Sequence, residues 1–105
     1  MIARIWHGVT PASMADEYCD YLNQTGLADY HSTPGNRGVY LLRRIVGEQA
    51  HFLTLTFWES EEAIRAFAGE DIEKARYYPE DARFLLEMEE GVQHYTVIGG
   101  TEDRS

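Results

Sequence analysis

Apolar and polar positions alternate over residues 2–8, with Ile2, Arg4 and Trp6 set against Ala3, Ile5 and His7, the period of a β-strand. After Thr10-Pro11 the period lengthens. Ala15, Tyr18, Cys19 and Leu22 fall on one helical face, and Asp16, Glu17 and Asp20 on the other. Thr10 as N-cap and Pro11 at the first helical position open this helix, and Gly26 ends it. Residues 27–38 predict an irregular connection closed by TPGNRG, whose Pro-Gly pair and Asn near Gly are turn chemistry. Residues 39–46 are rich in β-branched and bulky side chains. Residues 50–58 give the clearest strand, with Leu53, Leu55 and Phe57 against Phe52, Thr54, Thr56 and Trp58. Gly47-Glu48-Gln49 suits a short hairpin between the two. Ser60 then caps a helix with Glu61 and Glu62 in its first turn, an apolar stripe of Ala63, Ile64, Phe67 and Ala68, and a stop at Gly69. A turn holding Ile72, Ala75 and Tyr78 follows, then a short piece with Phe84 and Leu85, then a last strand over residues 92–98.

This order, β-α-β-β-α-β, predicts an α+β fold of the ferredoxin-like kind, a four-stranded antiparallel sheet with both helices on one face. It occupies residues 1–98 as one domain, and residues 99–105 read as a flexible tail. The sheet's other face would still carry large apolar side chains, so it predicts a partner. A second copy packed sheet to sheet about a two-fold axis is the simplest one.

Composition narrows the chemistry. A net charge of −9 opposes nucleic-acid binding, because a phosphate backbone would be repelled. The single cysteine, Cys19, excludes an internal disulfide and a cysteine-based zinc cluster, and on its apolar face it reads as a small core residue. No clustered His or carboxylate spacing suggests a metal. No apolar run approaches the ~20 residues of a membrane span, and the first residues lack a signal-peptide core. Cytoplasmic residence is the expectation.

The start MIARIWHG, the TPGNRG turn, the joint FLTLTFWESEEAIRAFAGED and the segments RYYPED and VQHYTV carry a resemblance. Over residues 1–98 the chain resembles the antibiotic-biosynthesis-monooxygenase-like proteins of the dimeric α+β barrel superfamily. That resemblance implies the homodimer. It also implies a range of activities: cofactor-free oxygenation of quinols, haem degradation, isomerisation. The haem-degrading relatives use an asparagine on the first strand, a tryptophan on the second helix and a histidine about ten residues later. Here the first strand has no asparagine, the helix carries Phe67, and the later position falls at Arg76 or Tyr77. Those haem-degrading residues do not carry over.

With the first and third strands taken as parallel, His7, Trp58 and His94 come to one edge of the sheet, joined by Arg37, Tyr40, Tyr77 and Tyr78. His51 then lies about 25 Å away at ~3.3 Å per residue. His7 or His94 would act as general base on an acidic phenol or enol. Trp58, Tyr40, Phe67, Tyr77 and Tyr78 would wall a small aromatic substrate. The reading is a monooxygenase-like oxidoreductase on a small aromatic or quinol substrate, with no bound cofactor. Its alternatives are a non-catalytic binder of a hydrophobic ligand such as haem, and an acid–base isomerase or cyclase.

Overall fold

A computed structural model describes residues 1–101. The expected tail therefore lies partly outside the described residues. Strand β1 spans Ile2–Pro11, helix α1 Ala15–Gln24, helix α2 Gly26–Ser32, strand β2 Asn36–Val46 and strand β3 Gln49–Trp58. Helix α3 (Glu61–Ala68), a single turn α4 (Asp81–Phe84) and strand β4 (Gln93–Thr96) complete the chain. The sheet order is β2-β3-β1-β4, and every neighbouring pair is antiparallel. This is the ferredoxin-like α+β fold.

The antiparallel pairing of β1 with β3 corrects the direction taken from the sequence. A helical crossover returns β2 along the direction of β1, and the hairpin at Gly47 then reverses β3. Trp58 therefore pairs with Ile2 at the beginning of β1, while His7 pairs with Leu53 and Val9 with His51. The edge proposed to hold His7, Trp58 and His94 does not exist, and His51 lies beside His7.

Three local elements also differ. Thr10 and Pro11 end β1 rather than start a helix. The Thr10 hydroxyl donates to the Pro11 carbonyl (3.0 Å), and a 3-10 turn at Ala12–Met14 leads into α1. The expected irregular connection contains α2, separated from α1 by a break at Thr25 and closed by Thr33, whose hydroxyl donates to the Asp29 carbonyl (2.7 Å). Strand β4 is shorter than residues 92–98. The Ser60 cap forms as expected, its hydroxyl accepting from the Ala63 amide at 3.2 Å. Gly69 ends α3 at φ +93°, a conformation that side chains rarely adopt.

Alternation sorts the sheet into two faces. Arg4, Trp6, Phe52, Thr54, Thr56 and Trp58 point to the helices and are buried. Ile5, His7, Leu53, Leu55 and Phe57 point the other way and remain half-exposed. The described residues are 21 Å deep, the thickness of one sheet and one helix layer, so no second layer among them covers this face. Two clusters fill the helix side. Trp6, Tyr18, Leu22, Phe52 and Phe84 form one, and Tyr30, Trp58, Ile64 and Phe67 form the other. Cys19 packs at the rim of the first, as expected.

Candidate functional site between the sheet and the helices

A recess lies where the two clusters meet. Its floor is Arg4 and Trp6 of β1, Thr54 of β3 and Leu41 of β2. Its roof is Tyr18 and Leu22 of α1, Leu27 and Tyr30 of α2, and Arg76, Tyr78 and Asp81 from the segment before and in α4. Only about 20 Å³ inside is open to water, room for one molecule. Outside it, between α2 and the start of β2, a cleft of about 720 Å³ is lined by Asn23, Leu27, His31, Arg37 and Val39. Leu27 borders both spaces.

Polar groups in the recess are tightly held. The Tyr18 hydroxyl donates to Asp81 (2.9 Å), and the Tyr78 hydroxyl donates to Asp29 (2.6 Å). Burial raises the Asp81 carboxyl above its usual range, although hydrogen bonds from the Tyr78 amide and the Tyr18 hydroxyl pull the other way. Burial, with Asp81 beside it, pushes the Tyr18 phenol up. For Tyr78, burial and then its bond to Asp29 do the same. Arg76 lies over the Phe67 and Tyr78 rings, 4.9 and 5.1 Å from their centroids, and pairs with Asp29 at 3.2 Å.

Arg4 is different. It is 2 % exposed, and its one side-chain hydrogen bond runs to the Lys74 carbonyl (3.0 Å). Burial lowers its pKa, with Tyr30 opposing.

The residues singled out from sequence scatter over this frame. Tyr78 lines the recess. Trp58 and Phe67 are core residues beneath it, with the Trp58 indole donating to the Thr56 hydroxyl (2.9 Å). Tyr77 accepts from the Trp6 indole (3.4 Å) and donates to the Glu89 carbonyl. His94 is paired with Arg4 across the strands on the helix face, its Nε2 buried with no hydrogen-bond partner among the described residues, and burial followed by Arg4 lowers its pKa. Tyr40 is on the open face against Phe57. His7 is on that face too, bonded to Glu89 and to His51. Among the described residues no three His, Cys, Asp or Glu side chains are arranged to hold a metal.

Arg4, Trp6, Tyr18, Tyr30 and Asp81 were not foreseen as site residues. The alternation of β1 already put Arg4 and Trp6 on one face. What it lacked was the direction of β3, which decides the face and end where the lining residues gather.

The chain belongs to the antibiotic biosynthesis monooxygenase family, whose family model matches residues 15–77. Solved structures share the fold. The heme-degrader MhuD from Mycobacterium tuberculosis, solved with two hemes bound in its active site, is 23% identical, with 97% of this chain and 100% of that one covered and a TM-score of 0.65. A candidate antibiotic biosynthesis monooxygenase from Bacillus cereus is 14% identical over 100% of this chain and 98% of its own, at a TM-score of 0.59. No curated protein matches the chain.

Proposed function

We propose that this protein is a monooxygenase-type oxidoreductase whose recess, with room for about one water in this structure, opens to admit a small phenol or quinol for oxidation by O₂, using no bound cofactor. The observation that carries the reading is the recess itself, a nearly dry pocket walled by Trp6, Tyr18, Tyr30 and Tyr78 around one carboxyl, Asp81. Exclusion of water strengthens every charge interaction inside and protects reactive intermediates. Asp81, with its raised pKa, is a stronger base than an ordinary carboxylate and touches the recess directly. It takes the acid–base role that His7 and His94 were expected to fill. A deprotonated phenol is electron-rich enough to reduce O₂ itself. One oxygen atom becomes a carbonyl at the para carbon. The other leaves as water with the phenolic hydrogen and the hydrogen displaced from that carbon. In a quinol, whose para carbon already bears oxygen, the new oxygen goes to a C–H carbon of the ring and the products are a hydroxyquinone and water, so no external reductant is required.

The open sheet face supports a homodimer, the arrangement that the family resemblance implies. Oxygen uptake over a panel of quinols tests the catalytic reading. Uptake that falls at least tenfold in Asp81→Asn supports it, while turnover that persists under strict anaerobiosis would instead indicate an isomerase or cyclase. A second reading, a binder of a planar hydrophobic ligand such as haem, draws on the fold shared with a heme-degrader. A Soret band that shifts when haemin is added to the protein, without oxygen uptake on any quinol, would favour it.

A further inference from the structure

Five arginines, Arg37, Arg43, Arg65, Arg76 and Arg83, each have a carboxylate within 4 Å. All five are at least partly exposed, so water shares the work of stabilising them. Arg4 is fully buried, and no carboxylate of the described residues pairs with it. A buried cation without a counter-ion is among the costliest arrangements in a protein. Among the described residues its guanidinium has the Lys74 carbonyl, the Phe67 ring 5.7 Å away and the neighbouring Tyr30 phenol, none of them a carboxylate. Two buried side-chain nitrogens lack a hydrogen-bond partner among the described residues, Arg4 Nε and His94 Nε2. These belong to residues that face each other across β1 and β4. Arg4 also lines the recess, whereas Arg76, the other cation there, is already committed to Asp29.

We infer that Arg4 is the anchor for an anionic group of the ligand, and that the recess takes a planar aromatic acid, a carboxylate or phenolate, in preference to a neutral ring. This rests on the recess being the ligand site. The aromatic walls hold the ring of the ligand, and the guanidinium gains the negative partner that the folded chain does not supply. A charge-assisted hydrogen bond in such a site is strong, and a missing partner is penalised more than a weak one.

Calorimetric titration with 2-naphthoate and the neutral 2-naphthamide, on wild type and Arg4→Met, tests the anchor. The expected result is tighter binding of the anion to wild type by about ten- to a hundredfold, the range for a hydrogen-bonded charge. In Arg4→Met that preference is lost and amide binding changes less than twofold. Thermal unfolding of the ligand-free variant should give a Tm at or above wild type, because an unpaired charge has been removed. Equal affinities in wild type, or an anion preference that survives in Arg4→Met, overturn the anchor and leave the recess standing. A lower Tm with the preference intact assigns Arg4 to holding the Lys74 carbonyl and also overturns it. Binding of neither probe removes the recess and the anchor together. If Arg4→Met does not fold, Arg4→Gln takes its place, and the wild-type comparison decides independently of either.

Discussion

His7 and His51 meet across β1 and β3: His7 Nε2 lies 3.1 Å from His51 Nδ1, with the ring centroids 5.3 Å apart and the planes 14° from parallel, an edge-to-edge arrangement. Glu89 bonds the other nitrogen of His7. A carboxylate only accepts, so His7 Nδ1 carries a proton, and in the neutral ring Nε2 then holds the lone pair. His51 Nδ1–H must then be the donor to it. Nitrogen-correlated NMR on the neutral rings should find both imidazoles in the Nδ1–H form, and Glu89→Gln should release the ordering of His7. An Nε2–H tautomer of His7 in wild type would contradict this chain of donors.

His94 gives a pH dependence with a definite sign. Burial and the facing Arg4 hold its pKa below 6.5 in the folded chain. Between that lowered value and 6.5 the unfolded chain binds more protons, so stability rises with pH and the contribution is complete above 6.5. His94→Gln should remove this rise from urea unfolding profiles taken between pH 5 and about 7, the range where an imidazole titrates. In Arg4→Met one of the two causes is gone, and the NMR titration of His94 should move upward towards 6.5. An unmoved titration would mean that Arg4 exerts no field there.

Asp81 has the opposite slope. Its folded pKa is raised, so the stability linked to its proton is full below 3.8 and declines as pH climbs through the raised value. Asp81→Asn should show no such decline. Tyr18→Phe removes the hydroxyl that donates to Asp81, leaving a buried acceptor short of one bond at a cost of about 1–3 kcal/mol in chemical denaturation. A neutral result would place water in that position.

Phe67 stands beneath both guanidinia and against Tyr30 (4.3 Å) and Trp58 (5.7 Å). Phe67→Ala should cost about 3–5 kcal/mol in unfolding free energy, through lost burial and the cavity left behind. Phe67→Leu, which keeps most of the volume, should cost well under half as much. Equal losses would mean that ring stacking with the arginines outweighs packing.

Much of this frame was legible in the residues because it rests on local physics. The alternation through Phe52 and Trp58, the Ser60 cap and the Gly69 stop each follow from one stretch of chain. Helix α2 escaped because it opens on Gly26 without a capping side chain, and tertiary contacts of Tyr30 decide its existence. The site escaped for another reason. Arg4 carries a charge that ordinarily reads as surface, and its burial depends on Phe67 and Lys74, more than sixty residues away. Misjudging the direction of one strand was enough to group His7 with Trp58 and to set His51 apart.

That same alternation leaves one face without a cover, and this carries the last prediction. Tyr40, Leu42 and Tyr95 are 60%, 44% and 53% exposed there, beside the half-exposed Ile5, Leu53, Leu55 and Phe57. Three strands of ten or eleven residues and one of four offer on the order of 500 Å² of plan area, and side chains standing out of the sheet raise the accessible surface towards the ~800 Å² that each partner buries in a stable interface. Leu42 sits midway along the edge strand β2, paired with Leu53 of β3 on the open face. Its replacement by Asp would place a carboxylate in that apolar contact, and by two-fold symmetry in both halves of it at once. Light scattering at micromolar concentration should give twice 12.0 kDa for wild type and about 12.0 kDa for Leu42→Asp, with the circular dichroism unchanged. A wild-type monomer, or a Leu42→Asp dimer, would show that the open face is not where two copies meet.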